Sequence, residues 1–213
     1  MHNAARHVTS SGGVDAAMES NAVIEAVNRL LLKPLGFQRK GALFNRHRGG
    51  FVDVVDLPTN KAGDAVTLEV GVQHDELYET LWEAPPPRFS NEACCLVHAR
   101  IGALLDGPDL WWPLADPASP DHAVKAVEGP VLRFLQGHHD LKAIAAALTR
   151  EIAERPAPMP RLYLAIIRHR RGDIAGADAL LQEVARGPDP DWAMRATGLA
   201  ARLKAEAAAQ PSG

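Results

Sequence analysis

Val66-Thr67-Leu68-Glu69-Val70-Gly71-Val72-Gln73 alternates large apolar residues with polar or small ones without a break. Strict period two predicts a β-strand with one face on a core and the other in water. The neighbouring sequence extends the reading. Upstream, residues 42–47 and 51–57 flank Arg48-Gly49-Gly50, and two glycines supply the positive φ that a tight hairpin needs. Residues 60–64 read as a second turn. Downstream, Pro85-Pro86-Pro87 opens an extended loop. Val97, Ala99 and Ile101 then suggest a further strand with His98 and Arg100 on its opposite face, and a short helix is the competing reading.

Helices flank this block. Val23, Ile24, Val27, Leu30 and Leu31 make one apolar stripe, with Asn21 or Asp15 as its cap and Pro34 and Gly36 as its stop. Eight of eleven aromatics lie between Phe37 and Trp112, where Ala is sparse, whereas residues 141–210 hold nineteen Ala. That shift places the sheet first and helices after it. Ser119-Pro120 reads as an N-cap followed by an N1 proline, opening a stripe of Val124, Val127, Val131, Phe134 and Leu135 that bends near Gly129-Pro130. Asp140 caps the next helix, with Leu141, Ile144, Leu148 and Ile152 inward. A linker at 156–160 precedes helices near 161–171, 174–186 and 190–207, the last two capped by Asp173 and Asp189. The expected class is α+β: an N-terminal helix, an antiparallel sheet of about four strands, and a helical C-terminal half. Residues 1–14 are expected to be a tail, 15–155 an α+β domain, and 156–207 a helical extension packed on it.

The chain has 213 residues, 46% apolar and 23% charged, with a formal charge of −3. This is a globular composition, neither a disordered tail nor an evident nucleic-acid binder. The two cysteines, Cys94 and Cys95, are adjacent, which excludes a disulfide framework and points to a reducing compartment. The first fourteen residues lack the apolar core of a secretory signal, and no long apolar run marks a membrane span. A cytoplasmic location is the resulting expectation.

Candidate sites are diffuse. Glu69, Gln73, His98 and Arg100, joined by Asp53 if its strand points the same way, would form a polar platform on the wet sheet face. They suit a charged ligand, or equally ordinary cross-strand pairing. His74, Cys94, Cys95 and His98 are soft ligands, but their spacing does not suit zinc, so neither a metal nor a cofactor is expected. Arg39, Lys40, Arg46 and Arg48 sit near Phe44 and Phe51, a grouping seen in single-strand binders. Net negative charge favours a solvated hairpin instead, and no nucleic-acid partner is expected. Arg168-His169-Arg170-Arg171 complements a helix C-terminus. His138-His139-Asp140 reads as a turn and a cap rather than a proton relay. No GxSxG, HExxH, P-loop or GxGxxG is present. Leu164-Ala165, Gly172-Asp173, Ala177, Leu181 and Pro188 fall near tetratricopeptide positions, but one unit makes a helical hairpin, not a solenoid.

The order of motifs carries a resemblance. Leu32-Lys33-Pro34-Leu35-Gly36-Phe37 is followed by Arg39-Lys40-Gly41, Phe44, residues 51–57 and 68–72, His98-Ala99-Arg100-Ile101-Gly102, and Asp109-Leu110-Trp111-Trp112. Over roughly residues 20–150 the chain resembles the bacterial domain-of-unknown-function family 4304. It departs from that pattern at Val55-Asp56-Leu57-Pro58, where an Asn and a Gln are usual, and at Glu69, where an Asn is commoner. The resemblance implies a fold and a bacterial cytoplasmic setting, not a reaction. Trp111 and Trp112 cannot both point inward from one extended segment. They are expected either to clamp sheet to helices or to offer one ring to a partner. The function expected is a non-enzymatic protein- or ligand-binding module of immunity or adaptor type. The alternative is a small hydrolase or transferase using Asp53, Glu69, His98 and Arg100, which requires those side chains to meet in one pocket.

Overall fold

The computed structural model describes residues 22–209, so the expected tail and the caps expected at Asp15 or Asn21 lie outside the described residues. Helix α1 (Ala22–Val27) runs into a widened turn at Asn28–Leu32. Strands β1 (Gln38–Lys40), β2 (Leu43–Arg48) and β3 (Phe51–Asp56) follow, then β4 (Ala65–Val66), β5 (Glu69–His74) and helix α2 (Asp75–Trp82). Strand β6 (Val97–Arg100), helix α3 (Ile101–Leu104) and strand β7 (Trp112–Pro113) complete the first half. Helices α4 (Ser119–Ala126), α5 (Leu132–Gly137), α6 (Leu141–Glu154), α7 (Pro158–Arg170), α8 (Ile174–Ala185) and α9 (Pro190–Ala209) make the second.

The main sheet has five antiparallel strands in the order β1-β2-β3-β5-β6, one more than the sequence suggests. The added strand, β1, is three residues long, too short for a periodic signal. The Gly49-Gly50 turn sets Arg48 opposite Phe51 and Arg46 opposite Asp53. Phe44, Val55, Val70 and Val72 share one face, and Val23, Val27, Val131, Leu135, Ile144 and Leu148 close over them in a core that extends to Leu203. The region 97–101 is a strand that becomes helical at Ile101.

The opposite sheet face departs from the expected pattern. It is not wet at its centre: Val52, Val54 and Cys95 form a second apolar cluster, with Leu43 packed against it. The segment 83–96 lies across this face. Asn45 Nδ2 donates to the Ser90 carbonyl and Ser90 N donates to Asn45 Oδ1, at 2.9 and 2.7 Å, and Ser90 Oγ donates to Gln73 Oε1 at 2.7 Å. Gly71 makes room for it, since a Cβ there would run into the Cys95 sulfur. Glycine in the alternating strand therefore marks a close approach, not a solvated position.

Helix α2 has no counterpart in the sequence reading. Its stripe is only Leu77 and Leu81, and it seats the sheet against the C-terminal helices. Trp82 Nε1 donates to Tyr163 Oη at 2.9 Å, and Arg195 lies 4.5 Å from the Trp82 ring centroid. Burial pushes the Tyr163 hydroxyl pKa upward. Arg170 pairs with Glu76, and Arg202 with Glu83. Helices α6 to α9 pack in succession. Asp140, Asp173 and Asp189 accept N-terminal backbone N–H groups of α6, α8 and α9, as their positions suggest. Ser119 does not cap: it is the first residue of α4 and its hydroxyl donates to the Pro113 carbonyl, while Asp116 accepts from Ala118 N. The bend near Gly129-Pro130 is a π-helical turn at Val127–Val131, which accommodates a proline that lacks an N–H.

Candidate functional site

The five residues of the expected platform fall on both sides of the sheet. Glu69, His98 and Arg100 share the face crossed by segment 83–96. Arg100 Nε donates to Glu69 Oε1 at 2.9 Å and Nη1 to Asp109 Oδ2 at 2.8 Å, an ion-paired edge open to solvent. His98 is exposed on the edge strand. Gln73 is on this face but wholly buried, its Oε1 bonded to Ser90 and its Nε2 without a partner. Gln73 therefore cannot meet a ligand at the surface. Asp56 also belongs here, and its pKa rises from the ordinary 3.8 to about 6. Burial is the main cause, followed by the neighbouring charges of Glu92 and Glu69.

Asp53 points the other way, into the helix-covered face, and is fully buried. Residues three apart on a strand cannot share a side, so Asp53 is separated from Asp56 and from Glu69, which pairs with Asp56. Arg46, directly across from Asp53, donates from Nε to Asp53 Oδ2 at 2.8 Å, with its Nη2 at 2.7 Å. His139 Nε2 donates to Asp53 Oδ1 at 2.5 Å from the turn between α5 and α6. Arg46 also donates to the Leu35 carbonyl at 3.2 Å and lies 4.5 Å from the Phe37 ring centroid. The His139 ring stacks on Phe51, whose edge meets His74 at 4.7 Å. Burial lowers the His74 pKa and Arg170 acts in the same direction, against the opposing pull of Glu76 and Asp75.

This cluster is a buried carboxylate satisfied by two cationic or imidazole donors, which is what an acid in a core strand requires. A carboxylate-held imidazole is also how a general base is oriented. Yet among the described residues no Ser, Thr or Cys side chain hydrogen-bonds to His139. Sequence reasoning does not bring these residues together, although a local signal for half of the cluster exists: a two-residue hairpin turn places Arg46 against Asp53, and a lone acid between Val52 and Val54 needs a partner. By sequence, His139 belongs to a His-His-Asp turn. Its partner is 86 residues away in sequence, and nothing local marks the pairing.

Of the basic hairpin, Arg46 is spent on Asp53 and Arg39 on Glu25. Cys95 is buried, with its thiol pKa pushed up chiefly by desolvation, and Cys94 is partly exposed. No group of three or more His, Cys, Asp or Glu side chains suited to a metal ion occurs among the described residues.

The tandem tryptophans separate cleanly. Trp112 is 3% exposed and, in β7, pairs with Val66 of β4, joining the main core. Trp111 is 36% exposed. It borders an open depression of about 500 Å³ with Leu105, Leu110, His122, Lys125 and Pro130. Leu105 is itself 49% exposed.

Most of these features lie in a stretch that resembles a known domain family. Residues 29–132 match the model of a domain of unknown function, DUF4304, so this stretch resembles that domain family. The match is shorter at both ends than the motif order suggested. It takes in the sheet, the Arg46–Asp53 pair and both tryptophans, but stops before His139 and before α6 to α9. Comparison with curated proteins and with solved structures returned no match. No helix among the described residues is long and apolar enough to cross a membrane.

Proposed function

We propose that this protein is a non-enzymatic protein-binding module, of adaptor or immunity type and at home in a bacterial cytoplasm, that contacts its partner through the surface around Trp111. The observation that carries the reading is the contrast within the tryptophan pair. Trp112 anchors the segment in the core, and Trp111 is thereby presented on a fixed backbone beside exposed Leu105. Large aromatics held rigidly at the surface are the residue type that dominates binding interfaces. The open shape of the depression suits a protein surface better than an enclosed small molecule. The hydrolase or transferase alternative loses support because Asp53 and the trio Glu69, His98 and Arg100 occupy opposite faces of the sheet.

The test is site-specific photo-cross-linking. A cross-linker at Leu105 should capture a discrete protein that the same group at exposed Lys61 does not. With that protein purified, Trp111→Ser should weaken binding by about tenfold or more, the loss of one interface anchor, while the variant stays folded at the assay temperature. Equal capture from both positions, or unchanged affinity in Trp111→Ser, would refute the proposal.

A further inference from the structure

The run Arg168-His169-Arg170-Arg171 divides three ways. Arg170 reaches back to Glu76 and Thr80 on α2, and His169 borders the gap between α8 and α9. Arg168 and Arg171, one helical turn apart, line a separate groove of about 440 Å³ between α6 and α7. Lys142 faces them from α6. Three cations thus meet one carboxylate, Asp173, which is already occupied: its Oδ1 caps α8 through Gly176 N, and its Oδ2 is 3.8 Å from Arg168. Among the described residues, neither Lys142 nor Arg171 has an ion pair. Arg170, beside them in sequence, is by contrast matched to Glu76.

The helix dipole accounts for cations at the end of α7 but not for Lys142. Lys142 lies in the first turn of α6, its own N–H donating to the Asp140 cap at 3.1 Å, where a helix favours negative charge. The Asp140 carboxylate offsets the positive end of α6, and the Lys142 ammonium shares the groove with two guanidinium groups. We propose that this groove binds an acidic segment of a partner protein, which supplies the missing negative charge. Its floor is aliphatic, with Leu164 and Ile167 below and Ala145 and Ala146 at the side, so the segment would carry aliphatic residues among its acids. The Thr149 hydroxyl is committed to the Ala145 carbonyl, leaving recognition to charge and apolar contact. A nucleic acid fits less well: no aromatic ring lines the groove for bases to stack on, and the chain's net charge of −3 opposes a long polyanion. The site lies beyond the family-matched residues 29–132 and is independent of Trp111.

Fluorescence anisotropy of a labelled Glu-Glu-Leu repeat peptide with the full chain tests this. Saturable binding is expected, absent for a Gln-Gln-Leu repeat. It should weaken by about tenfold or more in the double variant Lys142→Glu/Arg171→Glu and fall as salt is raised. Lys142→Glu should not lower the thermal midpoint, since an acid suits the first turn of a helix, so lost binding in it would not reflect unfolding. Trp111→Ser should leave peptide binding unchanged, which separates this site from the one proposed above. The proposal is overturned if the Gln peptide binds as well as the Glu peptide. Unchanged affinity in the reversal variants, equal weakening by Trp111→Ser, or displacement by a tighter-binding oligothymidine would each overturn it too.

Discussion

Replacing Asp56 with Asn should stabilise this protein at neutral pH and do nothing in acid. The Asp56 carboxyl is partly buried next to Glu69 and Glu92, and its pKa rises from 3.8 to about 6. A raised carboxyl pKa means that the folded state holds the proton more tightly than the unfolded chain does. Above pH ~6 the group is ionised in both states, and its charge costs the fold the full difference. As pH falls through ~6 the folded form takes up the proton and the cost fades, and it is gone below the ordinary value near 4. Two pKa units correspond to at most ~3 kcal/mol. Asp56 is only partly shielded, so solvent screening reduces the expected gain to about 1 kcal/mol. Urea denaturation of both proteins checks this. The Asn variant should have the higher midpoint near pH ~8, with the two curves merging near pH ~4. A variant less stable than wild type at pH ~8, or a gap that persists unchanged into acid, would show that the Asp56 charge is not opposed by its neighbours.

Three further outcomes follow from the packing. Trp112→Ala should lose about 3–5 kcal/mol in chemical denaturation, as for other buried aromatics, while Trp111→Ala should lose well under half of that. Similar losses in the two would contradict their different burial. Asp53→Ala should cost about 3–5 kcal/mol, because it strands the Arg46 guanidinium in the core; thermal unfolding reads this, and a near wild-type midpoint would mean that the pair is not structural. Gly71→Ala should cost about 1–3 kcal/mol by forcing segment 83–96 off the sheet, and should speed hydrogen exchange at Ser90 and Cys95.

What the sequence revealed and what it hid follow from the range of the interactions. The Gly49-Gly50 hairpin and the aspartate caps of α6, α8 and α9 are each decided within a few residues, and they are where local pattern placed them; the first stripe holds only for Val23, Ile24 and Val27, because the widened turn at Asn28–Leu32 exposes Leu30 and buries Leu32 instead. Helix α2 escaped notice because its apolar stripe is two leucines and its worth lies in distant contacts with Tyr163 and Arg195. The error on the second sheet face has a similar origin. Thr67, Gly71 and Gln73 alternate correctly with the valines, but period two reports only that the two faces differ. It does not report that the loop bearing Ser90 and Cys95 would return to cover the second one. The proposed platform dissolved for that reason, together with the three-residue offset that turned Asp53 inward.

The edges of the sheet limit how a partner can be met. Strand β1 offers three residues, Gln38, Arg39 and Lys40, and β6 offers four, with exposed His98 and Arg100 among them. Short borders crowded with long polar side chains give an incoming strand little backbone to pair with. Recognition by extending the sheet is therefore disfavoured at both margins. Contact falls to side-chain surfaces, where single substitutions change affinity one residue at a time and a partner's backbone need not be extended at all.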